Sequence, residues 1–262
     1  MPELPEVETV VRSVAAHLAG RTILETRFTS KFVTPGSRAR LAQRLAGRRI
    51  ESVRRRGKFI VMALDQGTLT VHLGMTGKLL VRGETGEHTH GVFILDDGML
   101  LYNDPRQFGR IEWSPGESPR VIRLGPEPLE ISLADFRVRL KRKTRIKALL
   151  LNQTFLAGLG NIYADESLFA AGIHPLTIAA RLSPARAEKL YRAIRGILTL
   201  AIERGGSSIS DYVNAEGERG WFQMEHRVYG REGEPCANCG KPIRKMLVAQ
   251  RGTHYCPHCQ KK

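Results

Sequence analysis

Apolar residues recur with a helical period at the start of the chain: Val7, Val10, Val11, Val14, Ala15 and Leu18 fall on one face, and Gly20 follows as a C-cap candidate. The pattern then shortens to runs of β type, "TILETRFTS", "RIESVRRR", "KFIVMALD", "GTLTVHLG", "GVFILDDG", "MLLYND" and "GRIEWS". Gly, Asp and Asn turns separate them, and one helical stretch, "SRARLAQRLAG", interrupts them. Seven or eight strands at this spacing predict an antiparallel sandwich or barrel. "SPGESPRVIRLGPEPLE" is rich in Pro and Gly and reads as a linker. From about residue 131 the period is helical again, in "SLADFRVRLKRK", "TRIKALLLNQTF", "NIYADESLFAAG" and "SPARAEKLYRAIRGILTLAIERGG". The last of these places Leu190, Ile194, Ile197, Leu198 and Ala201 on one face. The stretch "SSISDYVNAEGERGWFQMEHRVYGREGEP" has no period, and "NAEGERG" within it is expected to be mobile.

Charge narrows the function. The 262 residues carry 41 Lys plus Arg against 26 Asp plus Glu, a net charge of +15, more than solubility requires. A polyanionic partner is the leading expectation. No apolar run is long enough to span a bilayer, no signal-peptide core or lipidation motif is present, and the basic residues are not gathered on one stripe. A soluble intracellular protein without membrane attachment is expected.

All four cysteines lie near the chain end, as Cys236-x2-Cys239 and Cys256-x2-Cys259. Two such knuckles present four thiolates to one Zn²⁺, and a four-thiolate site is closed to substrate and therefore structural. His254 and His258 read as exposed or phosphate-facing, not as ligands. Between the knuckles, "KPIRKMLVAQRGTHYC" reads as a β-hairpin bearing Arg244, Lys245 and Arg251.

Three other places could meet phosphate. Thr144 reads as the N-cap of "RIKALLLNQ", which puts Arg145 and Lys147 in a first turn where cations oppose the helix dipole. A bound anion would remove that conflict; a solvated Lys147 is the plainer alternative. In "LAGLGNIYADE", Gly158 and Gly160 permit a tight turn with Asn161 as N-cap, a second helix start with free N–H groups. Arg54, Arg55, Arg56 and Lys58 form a basic run that suits either phosphate contact or solvent.

The chain opens "MPELPEVETVVR". Prolines and glutamates at a helix N-terminus need no further chemistry. The sharper reading is that Pro2, freed by removal of Met1, is itself reactive.

"PELPEVET", "RRGKF", "HLGMTG", "DPRQFG", "LAGLGNIYADE" and the terminal cysteine module occur in that order over the whole chain, which closely resembles the bacterial formamidopyrimidine-DNA glycosylase family. The resemblance implies an α+β multidomain protein: an N-terminal β-sandwich over residues 1–130, a helix-two-turns-helix domain over 131–230 with a lesion-capping loop, and a zinc finger over 231–262. It implies excision of oxidised purines, 8-oxoguanine and formamidopyrimidines, from double-stranded DNA by a monomer in the bacterial cytoplasm, and β,δ-elimination at the abasic site. Pro2 would be the nucleophile, Glu3 the proton-transfer group, Glu6 a relay or positioning group, and Lys58 a phosphate holder near the damaged nucleotide. An α-amine of pKa ~8 is roughly a quarter unprotonated at pH 7.5, against roughly a tenth of a per cent for a lysine. Met75, Arg106 and Phe108 match the residues the family inserts into the duplex; by pattern alone Met75 and Phe108 read as core. His72, Lys147, Asn161 and Arg251 match phosphate-contacting positions. Two residues depart from the family pattern: Gln107 stands for the second Arg of "DPRRFG", and Arg145 for the Pro of "KTPIK". The competing expectation is a non-catalytic lesion-binding or abasic-DNA-binding protein of the same fold.

Overall fold

A computed structural model describes residues 1–208 and 212–262. They form two compact units, residues 1–123 with 204–221, and residues 124–203 with 222–262. Among the described residues no helix is long and apolar enough to cross a membrane.

The first unit begins with α1 (Leu4–Leu18), whose Val7, Val10, Val11, Val14 and Leu18 are buried as the period requires. It continues through β1 (Ile23–Phe28), α2 (Arg38–Leu45, capped by the Ser37 hydroxyl), β2 (Ile50–Arg56), β3 (Phe59–Leu64), β4 (Thr68–His72), β5 (Lys78–Leu80), β6 (Thr89–Leu95), β7 (Met99–Asn103) and β8 (Arg110–Ser114). Two antiparallel four-stranded sheets result, in the orders β1-β6-β7-β5 and β2-β3-β4-β8. Their inner faces and α1 bury one apolar cluster, including Val10, Val14, Ile60, Leu69, Phe93, Tyr102 and Ile111. The expected antiparallel sandwich is therefore present, with one strand the pattern missed. β5 is three residues long with a single buried side chain, Leu79, too short to show alternation.

The linker holds only a short helix, α3 (Pro119–Ile122). The second unit then carries α4 (Leu133–Arg139), α5 (Ile146–Leu151), α6 (Asn161–Ala171) and α7 (Pro184–Glu203). α7 buries Ala187, Leu190, Ile194, Leu198 and Ala201, while Ile197 is only half-buried. α6 is buried on nearly every side, Asp165, Glu166 and Ser167 included, and ends at Gly172 with φ of 66°, a left-handed cap that glycine adopts freely. The chain closes with a hairpin, β9 (Arg244–Val248) and β10 (Arg251–Tyr255), turned by Ala249 and Gln250 at φ of 50° and 59°.

The aperiodic stretch after Gly206 falls partly on residues 209–211, outside the described residues. Its "NAEGERG" portion, expected to be mobile, is a hydrogen-bonded turn. Glu218 N–H donates to Asn214 Oδ1 (2.8 Å), Ala215 N–H to Ser13 Oγ (3.1 Å), and Val81 N–H to the Ala215 carbonyl (3.2 Å). Backbone and side-chain bonds organise this segment, and they leave no hydrophobic period.

Candidate functional site

In the first unit Met1 is exposed, and burial begins at Pro2. Pro2 and Glu3 precede α1, Glu3 is its N-cap with extended backbone, and Pro5 sits in the first turn, where its missing N–H is not needed. The Glu6 carboxylate faces back: Oε2 accepts from Glu3 N–H (2.8 Å) and Oε1 from Ser207 N–H (2.7 Å). The Tyr212 hydroxyl donates to the Glu6 carbonyl (3.2 Å). Gly206 lies at φ of 80°, and a Cβ there would stand 2.9 Å from Glu6 Oε1. Ser207 and Tyr212 were invisible as partners in the sequence; the Gly205-Gly206 pair, which permits a close approach, is a signal that could have found them. Glu8 bridges Arg12 (2.9 Å) and Arg55 (2.8 Å). Burial works against its ionisation, but the hydrogen bonds from Arg55 and Arg12 hold its pKa below the ordinary carboxylate value. Of the basic run, Arg54 is paired with Glu117 (2.8 Å) and Arg55 with Glu8, which satisfies both within the protein.

Lys58 is buried at the entry to β3, after Gly57 at φ of 56°. His72 ends β4 opposite Phe59, their ring centroids 4.9 Å apart. Burial, then the positive charges of Lys58, Arg120 and Arg110, push the His72 pKa down to about 4. Its Nδ1 accepts from Gly74 N–H (3.1 Å), so the neutral ring carries its proton on Nε2. A phosphate would thus meet a donor without charge.

Two loops, residues 73–77 and 104–109, lie backbone against backbone. A Cβ on Gly74 would reach within 2.5 Å of Gly109 N, and one on Gly109 within 1.6 Å of Tyr102 Oη. Fully buried Asp104 joins them: it accepts from Thr76 Oγ1 (2.5 Å), Gly109 N–H (2.8 Å) and Tyr102 Oη (3.3 Å). Burial first, and Asp104 second, raise the Tyr102 pKa, so the phenol stays a donor. Met75 and Phe108 stand out from these loops, 40% and 51% exposed, so the pattern-based assignment of both to the core was wrong. The Arg106 guanidinium lies over the Phe108 ring, 4.7 Å from its centroid. Gln107 between them has φ of 54°, and its Oε1 accepts from Ser30 Oγ (2.6 Å). Ser30 Oγ in turn accepts from the N–H groups of Phe32 and Val33 (both 3.1 Å).

In the second unit the N-cap of α5 is Arg145, one residue later than Thr144. Lys147 does lie in the first turn, but its ammonium is fully buried and paired with Asp165, also fully buried. The anion called for by the dipole conflict is supplied internally. α6 likewise starts one residue early, with Gly160 as N-cap and Asn161 inside the helix. Asn161 Nδ2 donates to the Gly252 carbonyl (2.8 Å) and His254 N–H donates to Asp165 Oδ2 (3.0 Å). Alternate residues of β10 are thereby fastened to one face of α6, and Arg251 is left exposed. His254, expected to be exposed or phosphate-facing, is buried, its ring 5.2 Å from that of Tyr229; His258 is exposed. Glu166 accepts three N–H groups, from Arg227, Val228 and Tyr229 (2.8–3.0 Å). Gln153 closes the glycine turn before α6, bonding the Leu159 carbonyl (2.7 Å) and Gly158 N–H (2.9 Å). Lys245 of the hairpin is paired with Glu232 (3.3 Å).

The Sγ atoms of Cys236, Cys239, Cys256 and Cys259 all lie within 4.8 Å of one another. Four sulfurs at about 2.3 Å from one Zn²⁺ in a tetrahedron stand roughly 3.8 Å apart, so the donor set and its spacing fit a structural zinc. Val228, Ile243 and Phe169 pack against the cysteines.

Three family descriptions match consecutive parts of the chain: the formamidopyrimidine-DNA glycosylase N-terminal domain over residues 1–111, its H2TH domain over 124–213, and the zinc finger found in FPG and IleRS over 233–262. The chain belongs to the formamidopyrimidine-DNA glycosylase family. It is 59% identical over 265 residues to formamidopyrimidine-DNA glycosylase of Solibacter usitatus and 43% identical over 275 residues to that of Bacillus subtilis, each covered in full along with this chain. Among solved structures it resembles the MutM (Fpg) protein of Thermus thermophilus, with a TM-score of 0.90 and 43% identity over 99% of this chain and 98% of that one. It also resembles wild-type Lactococcus lactis Fpg in complex with N7-benzyl-Fapy-dG DNA, with a TM-score of 0.89 and 38% identity over all of both chains.

Proposed function

We propose that this protein is a base-excision-repair DNA glycosylase with AP lyase activity, acting as a monomer on double-stranded DNA that contains 8-oxoguanine or formamidopyrimidines. The observation that carries this reading is the end-to-end match to Fpg, including proteins captured on Fapy-dG DNA, in a chain that retains the Pro2-Glu3 start.

Removal of Met1 gives Pro2 a secondary amine. Its lone pair attacks C1′ of the extruded nucleotide, the glycosidic bond breaks, and the base leaves with a proton. The amine nitrogen loses its proton, the C1′–O4′ bond opens as Glu3 gives O4′ a proton, and the resulting iminium (protonated Schiff base) draws electrons from the sugar and acidifies the C2′ hydrogen. Loss of that proton expels the 3′ phosphate, and a second elimination expels the 5′ phosphate. Glu3 is the proton carrier. Glu6 is a positioning residue, because both its oxygens are already bonded, to Glu3 N–H and Ser207 N–H.

Lys58 and Arg251 hold phosphates, His72 donates to one through Nε2, and Asn161 offers its backbone N–H at the start of α6. Lys147 contributes by holding Asp165, which fixes the finger strand. Met75, Arg106 and Phe108 fill the space the damaged nucleotide leaves, Arg106 pairing with the orphaned base. Zinc, bound by the four cysteines, supplies folding energy and no reaction step.

Borohydride reduction with an 8-oxoguanine duplex tests this reading. A covalent adduct at Pro2 and loss of scission in Pro2→Gly, with affinity largely kept, are expected. Tight binding without an adduct would favour the non-catalytic lesion binder.

A further inference from the structure

The first unit also contains a groove of about 510 Å³. One wall is α2, which lines it with Ser37, Arg40, Leu41 and Arg44. This i, i+3, i+4, i+7 spacing marks a single helical face. The opposite wall is Ser118, Pro119 and Arg120. Between them runs β8, the outermost strand of its sheet. Four consecutive β8 residues, Ile111, Glu112, Trp113 and Ser114, line the groove. Side chains of a strand alternate between faces, so this run means that the groove follows the strand's edge.

The backbone agrees. Ile111 N–H donates to the Val33 carbonyl (2.8 Å), away from β4, and alternation along an antiparallel strand turns the N–H and C=O of Trp113 to the same outer side. Apolar surface is supplied by Leu41 and Trp113. Positive charge comes from Arg40, Arg44 and Arg120. Arg120 is shared with Glu112 (3.4 Å), while Arg44 stacks on Trp113, 4.5 Å from the ring centroid. Among the described residues no carboxylate is paired with Arg40 or Arg44.

We propose that this groove is a docking site for an extended acidic peptide of a partner protein, which adds a strand to the edge of β8. Backbone hydrogen bonds at Trp113 would set its direction, apolar side chains would enter between Leu41 and Trp113, and carboxylates would pair with Arg40 and Arg44. A sheet edge with one arginine-bearing helix beside it admits a single extended chain. Duplex DNA is the competing occupant, and the test separates the two.

The probe is a fluorescein-labelled peptide, Asp-Leu-Asp-Leu-Asp-Phe-Asp-Leu, titrated with full-length zinc-loaded protein and read by polarisation. Arg40→Glu/Arg44→Glu is expected to weaken binding at least tenfold, against less than threefold for Lys241→Glu/Lys262→Glu, which changes net charge equally in the second unit. Lesion excision by both variants should match that of the parent. Hydrogen exchange should show peptide-dependent protection of the Trp113 amide, and a lesion-free duplex should neither give that protection nor displace the peptide. Equal weakening by the two charge-matched variants, or protection of Trp113 by duplex in place of peptide, would overturn the proposal.

Discussion

Two fully buried aspartates, one in each unit, solve the same problem differently. Asp104 is held by neutral donors, the hydroxyls of Thr76 and Tyr102 and the N–H of Gly109. Asp165 is held by a buried cation, Lys147, and by His254 N–H. The first arrangement fixes two loops that present Met75, Arg106 and Phe108 outward. The second locks a helix to the zinc hairpin. Hydrogen bonds to neutral groups suit a place where loops meet a deformable ligand, because no single change there strands a charge. An ion pair suits a joint that must not yield, because losing either partner leaves the other ionised and dry.

Breaking that joint should therefore have the largest effect. Asp165→Ala is expected to cost about 3–5 kcal/mol in urea unfolding, since it leaves the Lys147 ammonium buried alone. Lys147→Met/Asp165→Leu should recover most of that loss. A single variant within about 1 kcal/mol of the parent would mean that the pair does not hold the hairpin.

Acid probes both units at once. Burial lowers the pKa of His72 in the first unit and of His226 in the second, each to about 4. The folded protein keeps these rings neutral, whereas the unfolded chain takes up protons below about 6.5. Their contribution to stability is thus complete above that pH and is lost as pH falls toward 4, by up to about 1.4 kcal/mol per pH unit for each ring. His72→Gln should remove about half of this slope, and an unchanged pH profile would refute the assignment.

Asp104→Ala should cost less than the Asp165 change, about 1–3 kcal/mol, because its donors are neutral. Its clearer signature is functional: excision should lose its dependence on the base opposite the lesion as the Arg106–Phe108 pair shifts. Smallest is Ser30→Ala, about 1 kcal/mol, which frees Gln107 from its brace. It should reproduce part of that change in base preference, and full retention would show that Gln107 needs no brace.

Much of the architecture was legible because it is local. The valine face of α1, the strands with alternating burial, and the two cysteine knuckles each announce themselves within a few residues. The chain start was readable too, through Pro2, Glu3 and Glu6, but only as letters. What holds Glu6 comes from residues 207 and 212, which no local pattern connects to it. Lys147 was noticed because its charge opposed the helix dipole, but the bound phosphate expected there, and the solvated alternative, both gave way to an internal carboxylate, Asp165. Met75 and Phe108 misled because apolar residues beside strands usually pack inward. The device that turns them out, two glycine-lined loops tied to Asp104, is tertiary. The turn at 214–218 was missed because side-chain caps and backbone bonds, not hydrophobic spacing, define it.

The bond between Glu6 and Ser207 joins residues 201 positions apart. The amino end leaves the ribosome first, and α1 can wind at once. Its carboxylate clamp, however, must wait until four-fifths of the chain has been made, and loop closure over that span is among the last contacts to form. Translation thus delivers the reactive end early and completes it late, so a nascent or truncated chain exposes a proline terminus that is not yet set in place.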